Sequence, residues 1–496
     1  MKNRSTKINS AKITEAVCNL CKQANVRVQK NIYEALFDSF KKESSPLSKY
    51  ALWQIIENLK LANSTQRPMC QDTGIVVVFA EVGTEVEISG DSLESAVNKG
   101  VDKAYTENYL RKSIIKDPVL DRTNTGTNTP AVIYTDLVPG KTIKLYISIK
   151  GCGSENMSAL KMLKPSEGIK GIVDFAAETV LKAGASACPP VMLGIGIGGT
   201  MDYAAVLSKK ALLKHKRADG KPEGVPGYDF SRFTPEELQK IAELEEIILD
   251  RLNDLEIGTG GFKGSVTAFE VNILTYPSHI AALPVAVNIN CHASRHGRAE
   301  IFEDRIVYFD EDYEFKGIEN IEQEGKSIST DEIEKIRELN SGEIVLLNGY
   351  IYTARDAAHN KLYEHILNGQ TLPFDIKNKI FYYTGPCPPA PGEIIGPAGP
   401  TTAGRMDKFT PALMSAGLLG SIGKGDRSDE VVQSIKNNRG VYFVTTDGIA
   451  ALLAKKVSEA EIIAYPELGT EAIYRFRVKD FPVLVAIDSN GNNIFR

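Results

Sequence analysis

Between residues 300 and 342 the sequence changes texture, and this change limits the possible architectures more than any single motif does. Before it, apolar residues recur at three- and four-residue spacing over 14–26, 31–43, 47–61, 92–115, 168–183 and 234–255, as amphipathic helices require. Strand-like runs lie among them at 75–82, 142–149, 266–274 and 283–290. The segment 300–342 is rich in Glu, Asp, Lys and Ile and poor in motifs. Beyond it, β-type runs at 343–353, 379–384, 440–446 and 471–488 dominate, with helices expected at 357–367, 411–417 and 428–438. At 496 residues the chain is too long for one ordinary core. We therefore expect an α/β fold of the mixed α+β kind in two domains, a helix-rich 1–305 and a β-rich 306–496.

Charge excludes some partners. Acidic residues number 63 against 58 basic ones, a formal charge of −5. That balance creates no global field to attract nucleic acid or an anionic membrane. An anionic substrate would have to be captured by local positive groups. The longest apolar stretch, 189–198, is short and broken by glycines, so no transmembrane helix is expected. The N-terminus lacks the apolar segment of a signal peptide, and a helical pattern begins by about Thr14, so a cytoplasmic start is expected.

Seven cysteines, an odd number without a secretion signal, argue for reduced thiols rather than a disulfide framework. Cys70, Cys188 and Cys291 are separated by 118 and 103 residues, a spacing that links them by no rule. Their settings are more telling: Pro68-Met-Cys-Gln-Asp-Thr-Gly, Ser186-Ala-Cys-Pro-Pro and Asn290-Cys-His-Ala-Ser-Arg-His. Each lies where an element gives way to a constrained or polar loop, a place that can present a thiolate inward. The plainer reading is a small buried hydrophobe. Cys18 and Cys21 form a CxxC inside a helical pattern with no second CxxC to complete a zinc site, and read as helix-face residues. Cys387, in Gly-Pro-Cys-Pro-Pro, reads as structural.

Gly194-Ile-Gly-Ile-Gly-Gly199 satisfies GxGxxG, but the acid about twenty positions on, Asp219, lies in a Lys/Arg/Gly/Pro loop rather than at a strand end. Close approach of a ligand or a neighbouring element explains these glycines better. His292 and His296 stand at i, i+4 without the Glu of a zinc-protease helix, and a surface position or a supporting role beside a ligand is expected. His279 follows a strand in a turn. The densest signal is Gly396-Pro-Ala-Gly-Pro-Thr-Thr-Ala-Gly-Arg-Met-Asp407. Thr401 and Thr402 offer hydroxyls beside exposed N–H groups, and Arg405 adds a bidentate carboxylate donor. Gly420-Ser-Ile-Gly-Lys-Gly425 supplies a further cation, Lys424, outside any Walker pattern. The plainer reading is a tight loop with an incidental arginine.

These motifs resemble the class I, iron–sulfur fumarate hydratases and the related two-subunit tartrate dehydratases. The resemblance runs through Pro68–Gly74, Asn124-Thr-Gly-Thr-Asn128, Gly151-Cys-Gly-Ser154, Ala187-Cys-Pro-Pro190, Gly198-Gly-Thr200, Pro400–Asp407 and Tyr465-Pro-Glu-Leu-Gly469, in family order over nearly the whole chain. It implies that Cys70, Cys188 and Cys291 hold a [4Fe–4S] cluster. It implies substrate binding at Gln71, Asp72, Arg111, Gly153, Arg355, Arg405 and Lys424, proton transfer at Thr401, and a role for His279. It also implies a homodimer acting on a small dicarboxylate, fumarate or malate, with sites at the domain junction that can share residues across subunits. The N-terminal domain would bind the cluster and the C-terminal domain would be a swivelling unit. Cys152 stands where many relatives have glycine, and the residues after Cys291 are closer to the two-subunit branch. The stretch from Arg405 to Lys424 is one residue shorter than in the long enterobacterial enzymes.

Three thiolates are one ligand too few for a four-iron cube, so the resemblance implies an open iron acting as a Lewis acid on a carboxylate and the departing hydroxyl. Arg111, Arg355, Arg405 and Lys424 would neutralise the substrate carboxylates and the aci-carboxylate. Thr401, activated by those cations, is expected to take the C3 proton, with Asp72 and His279 on the acid side. The rivals are tartrate or mesaconate hydration on the same scaffold, a non-catalytic iron–sulfur module, which requires a fourth protein ligand, and a nicotinamide dehydrogenase built on the Gly194 loop.

Overall fold

The computed structural model describes residues 5–216, 222–309, 313–318, 321 and 325–496. Asp219 lies outside the described residues. Two compact units form: Met1–Glu43, Asp72–Ile257 and Ser265–Phe315 make one, and Ser44–Gln71, Gly258–Gly264 and Lys316–Arg496 make the other. Two segments of the first 305 residues therefore belong with the C-terminal residues. Both units mix helices and sheets, the α+β class expected.

The first unit holds two principal sheets. One has five strands in the order Ile306–Tyr308, Arg295–Ile301, Ile143–Lys150, Ile75–Gly83, Val132–Val138. The helices Ser10–Val26 and Leu93–Glu107 cover it. Ile13, Val17, Leu20 and Ala24 recur on one face of the first helix and are buried with Val97, Val101, Val78 and Ile147. Asn9 caps this helix, its side chain accepting from Ala11 N at 2.8 Å. Cys18 and Cys21 lie on the buried face, where burial pushes the Cys21 thiol well up. The helix expected over 92–115 stops at Glu107. Tyr109 turns left-handed at φ 54°, and Leu110 N donates back to Tyr105 O at 3.1 Å, closing the last turn and leaving Arg111 on a loop.

The other sheet has four strands, Ala268–Tyr276, Val191–Gly198, Leu283–Cys291 and Ala159–Leu163. Helices Gly168–Ala183 and Pro235–Asn253 bury Ile172, Phe175, Ile248 and Leu252 against it. The second of these begins with a capping box between Thr234 and Glu237. Val191–Gly198 is a wholly buried strand that sequence reading missed, because its glycines depress strand propensity. The reason for those glycines is the helix Met201–Ala211. A Cβ at Gly194 or Gly196 would collide with the carbonyl oxygens of Ser208 or Ala204. The GxGxxG is thus a strand packed under a helix, not a phosphate loop.

In the second unit seven strands follow the order Lys326–Ser329, Ile344–Thr353, Ile380–Tyr382, Gly420–Gly423, Val441–Val444, Ile473–Ile487, Val457–Ala464. Ile344–Thr353 also pairs with Ile473–Ile487, so five of these strands close into a ring. Helices Asp356–Leu367, Thr410–Ser415 and Asp429–Asn438 contribute Leu362, Leu413, Val431 and Ile435 to its core. The helix Pro46–Thr65 belongs here as well. Its buried Asn58 donates to Met69 O and Gly448 O, each at 2.9 Å, and accepts from Leu452 N at 3.0 Å. Gln54 accepts from Thr446 Oγ1 at 2.6 Å.

Candidate active site

In the first unit the group is organised around Asp72. Its Oδ2 accepts from Cys152 N at 2.9 Å and its Oδ1 from Gly74 N at 3.2 Å. Arg111 pairs with Oδ1 at 3.2 Å, and Arg295 donates to the Asp72 carbonyl. Burial raises the Asp72 carboxyl, but Arg111, Arg295 and the two N–H groups outweigh burial and hold it below the usual range. Asp72 is therefore an anion at neutral pH, which suits it to orient charge and not to donate a proton. Gly153 lies in the short turn Cys152–Glu155 that follows. Asn128 braces the arrangement: it accepts from Ser113 N at 2.7 Å and donates to Gly74 O at 3.1 Å. Thr73 adds a bond to Arg111 O at 2.8 Å.

The same unit brings Cys188 and Cys291 to one end of the four-stranded sheet. Cys291 ends its strand in register with Val191, three residues after Cys188. His292 Nδ1 lies 3.2 Å from Cys188 O, so that nitrogen carries the proton. Cys188 itself is left-handed at φ 59°. His292 and His296 are both buried, one in a turn and one in the strand Arg295–Ile301, so neither the shared helix face nor the surface reading holds. His279 is not brought to this end. It sits in the exposed turn before Leu283–Cys291, and eight residue steps of strand separate the two ends by roughly 26 Å. Its Nδ1 accepts from Ala281 N at 3.2 Å, which leaves the proton on Nε2. Gly198-Gly-Thr200 lies at the His279 end, where Gly199 N donates to Pro277 O at 3.2 Å.

In the second unit the loop 396–407 meets several of the residues singled out in the sequence. Gln71 Nε2 donates to Pro400 O at 3.1 Å, and a Cβ at Gly399 would collide with the Gln71 amide oxygen. Cys70 Sγ is 3.5 Å from Gln71 Oε1. Arg405 grips Asp356 with both Nε at 3.0 Å and NH2 at 2.6 Å. Its NH1 donates to Thr401 Oγ1 at 3.3 Å, a contact that favours negative charge on that oxygen. Arg355 pairs with Glu471 at 3.5 Å and with Asp356 at 4.0 Å. Lys424 pairs with Asp447 at 3.6 Å and bridges backbone to backbone with Thr402. Arg355 and Arg405 thus share Asp356, Arg405 also reaches Thr401, and Gln71 and Lys424 meet the same loop at Pro400 and Thr402.

Three cations escaped sequence reading. Arg295 and Lys150 are each 1% exposed, and Arg427 is 2% exposed. Lys150 Nζ donates to Ile289 O at 2.6 Å and Asn290 Oδ1 at 3.1 Å. Burial pulls its ammonium down to about 8 while Glu155 opposes that shift. Arg427 lies behind the 396–407 loop, donating to Asp407 Oδ1 at 2.6 Å, Thr410 Oγ1 at 2.6 Å and Ser421 Oγ at 3.2 Å. For Arg295 the local signal was a cation within a motif already singled out, and Arg427 lies two residues beyond another, Gly420–Gly425.

Comparison with known proteins gives a consistent result. The sequence profile described as Fumarate hydratase (Fumerase) matches residues 14–300, and that described as Fumarase C-terminus matches 305–496. The anaerobic class I fumarate hydratase of Escherichia coli K12 is 32% identical over 492 residues, covering 94% of this chain and 86% of that protein. The aerobic class I enzyme of Salmonella typhimurium is 33% identical over 491 residues, covering 92% and 79%. A putative L(+)-tartrate dehydratase alpha subunit of Methanocaldococcus jannaschii is 41% identical over 291 residues, covering 57% of this chain and 95% of that subunit.

Proposed function

The chain belongs to the class I fumarate hydratase family, and from that premise we propose that it is a hydro-lyase that adds water reversibly to fumarate to give (S)-malate. The observation that carries this reading is in the second unit. Arg405 donates to the Thr401 hydroxyl and shares Asp356 with Arg355, while Lys424 bridges the backbone at Thr402 and the Gln71 amide donates to Pro400 O beside Thr401. That is an anion site for a dicarboxylate beside a hydroxyl held by a guanidinium.

We assign a [4Fe–4S] cluster to Cys70, Cys188 and Cys291. The donor set fits: three cysteines can each supply one thiolate, and two of them stand at one end of a sheet. Among the described residues no three His, Cys, Asp or Glu side chains gather on a single ion. A cube asks for no such gathering, since each thiolate holds a different iron. When bound, a cluster with three protein ligands supplies a Lewis-acidic iron open to substrate. Thr401 takes the proton at C3, its alkoxide favoured by Arg405. Arg111, Arg355, Arg405 and Lys424 hold the carboxylates, and Gln71 and Gly153 complete the binding groups. Asp72, already ionised, orients Arg111 and the Cys152 N–H. The acid role falls to His279, whose Nε2 carries a proton. In this reading His279, which lies at the far end of the strand from Cys291, would serve the centre of a second copy in a homodimer.

Residues 1–305 and 306–496 would be the two functional domains of a cytoplasmic enzyme. Among the described residues no helix is long and apolar enough to cross a membrane. L-tartrate or mesaconate is the second reading, its tartrate arm favoured by the 41% identity of the first part to a putative L(+)-tartrate dehydratase alpha subunit. The test is hydratase activity of anaerobically purified protein on fumarate, L-tartrate and mesaconate, before and after air. Fumarate turnover that falls together with the cluster's visible absorbance is expected. Full activity in metal-free protein would sink the proposal, and near-normal turnover of Thr401→Ala with an intact cluster would remove Thr401 from its role.

A further inference from the structure

Lys150 ends the strand Ile143–Lys150 of one sheet, yet its ammonium bonds a strand of the other. Its two acceptors, Ile289 O and Asn290 Oδ1, belong to the residues directly before Cys291. Asn290 in turn donates to Ser294 Oγ at 3.0 Å, so one cation braces the chain on both sides of that cysteine. Lys150 also lies 3.7 Å from Glu155 Oε2, while Lys209 pairs with Oε1 of the same carboxylate. Two ammoniums sharing one carboxylate leave a single positive charge beside Cys291. A buried charge costs several kcal/mol unless an opposite one offsets it.

A cluster with three thiolates supplies that opposite charge: three negative ligands on a doubly positive core leave about −1. We propose that Lys150, through its charge and its grip on Ile289 and Asn290, is a positioning and charge-balancing residue for the cluster ligand Cys291. It is not a substrate ligand. The inference rests on the iron–sulfur reading above and deepens it. A strut that merely joined two sheets would need only hydrogen-bond donors. The cost of an ammonium in this position is explained by an anion beside it.

The experiment uses the full chain, purified anaerobically, with iron and sulfide counted and the reduction potential measured by spectroscopic titration. Lys150→Gln keeps a donor and removes the charge. Its metal-free form should melt like the wild type. Its cluster should be reduced at a more negative potential and be lost to a chelator about tenfold faster. Glu155→Gln should shift the potential the other way. The KM for fumarate should move little in Lys150→Gln, whereas a substrate ligand would raise it. Wild-type potential and chelator kinetics in Lys150→Gln would overturn the inference. If that variant holds no cluster, Lys209→Gln decides: a smaller negative shift supports the charge role, and no shift overturns it. A wild-type chain that takes up no iron would instead refute the iron–sulfur reading itself.

Discussion

Replacing Arg427 with Met should destabilise the second unit by about 3 kcal/mol, the low end of the cost of breaking a buried ion pair. The guanidinium makes three hydrogen bonds, to Asp407, Thr410 and Ser421, and stacks near Tyr442 with its carbon 4.9 Å from the ring centre. Burial works against its charge, but Tyr383 and Asp407 more than restore it. Met keeps much of the volume, so little of the cost is a cavity. Thr410 still has Met406 O, at 2.9 Å, as an acceptor. The damage concentrates on Asp407, which among the described residues keeps the Ser428 N–H at 2.7 Å and whose side chain is 17% exposed. That exposure is why the low end is expected. Asp407 follows the turn Ala403–Met406 that carries Arg405, so the KM for fumarate should rise with the loss of stability. Urea unfolding of the single variants and of the Arg427→Met/Asp407→Asn pair measures both terms, with the pair recovering part of the loss. A single-variant cost below about 1 kcal/mol would place this pair with exposed ion pairs and refute the reasoning.

Two further outcomes follow from buried groups. Burial pulls the His359 imidazole from 6.5 down to about 4, so the unfolded chain takes up the proton first on acidification. Its contribution is complete above about pH 6.5 and is lost between there and about pH 4, at about 1.4 kcal/mol per pH unit, or roughly 3 kcal/mol in all. His359→Leu should flatten that limb in melts between pH 7.5 and 4.5; an unchanged slope would contradict a neutral buried histidine. Gly196→Ala should cost about 1–3 kcal/mol in chemical unfolding, because its new Cβ meets the Ala204 carbonyl, which cannot rotate away. A neutral result would mean that the helix Met201–Ala211 shifts freely.

Local pattern revealed the amphipathic helices well: Gly168–Ala183 occupies the predicted residues, and Leu283–Cys291 extends its prediction by one. It failed where burial and polarity part company. Arg295–Ile301 is a buried strand that begins Arg-His-Gly, and neither its cation nor its glycine advertises a strand. Lys150 closes a run that alternates like a strand and already carries Lys144, so a terminal lysine reads as solvated. The loop 396–407 was legible because hydroxyls, glycines and Arg405 crowd into twelve residues. The position of His279 was not, since sequence says that it precedes a strand but not which end of the sheet carries the cysteines. The membership of Ser44–Gln71 in the second unit was equally hidden: an amphipathic helix does not say which core it joins.

That last feature has a consequence in time. Asn58 and Gln54 are matched by Gly448, Leu452 and Thr446, partners about 390 residues later in the chain. At a synthesis rate of roughly 5–20 residues per second, the helix Pro46–Thr65 leaves the ribosome some 20–80 s before those partners exist. During that interval the two polar side chains that lock the finished unit face water, and the helix waits as an unclaimed piece of a core not yet made.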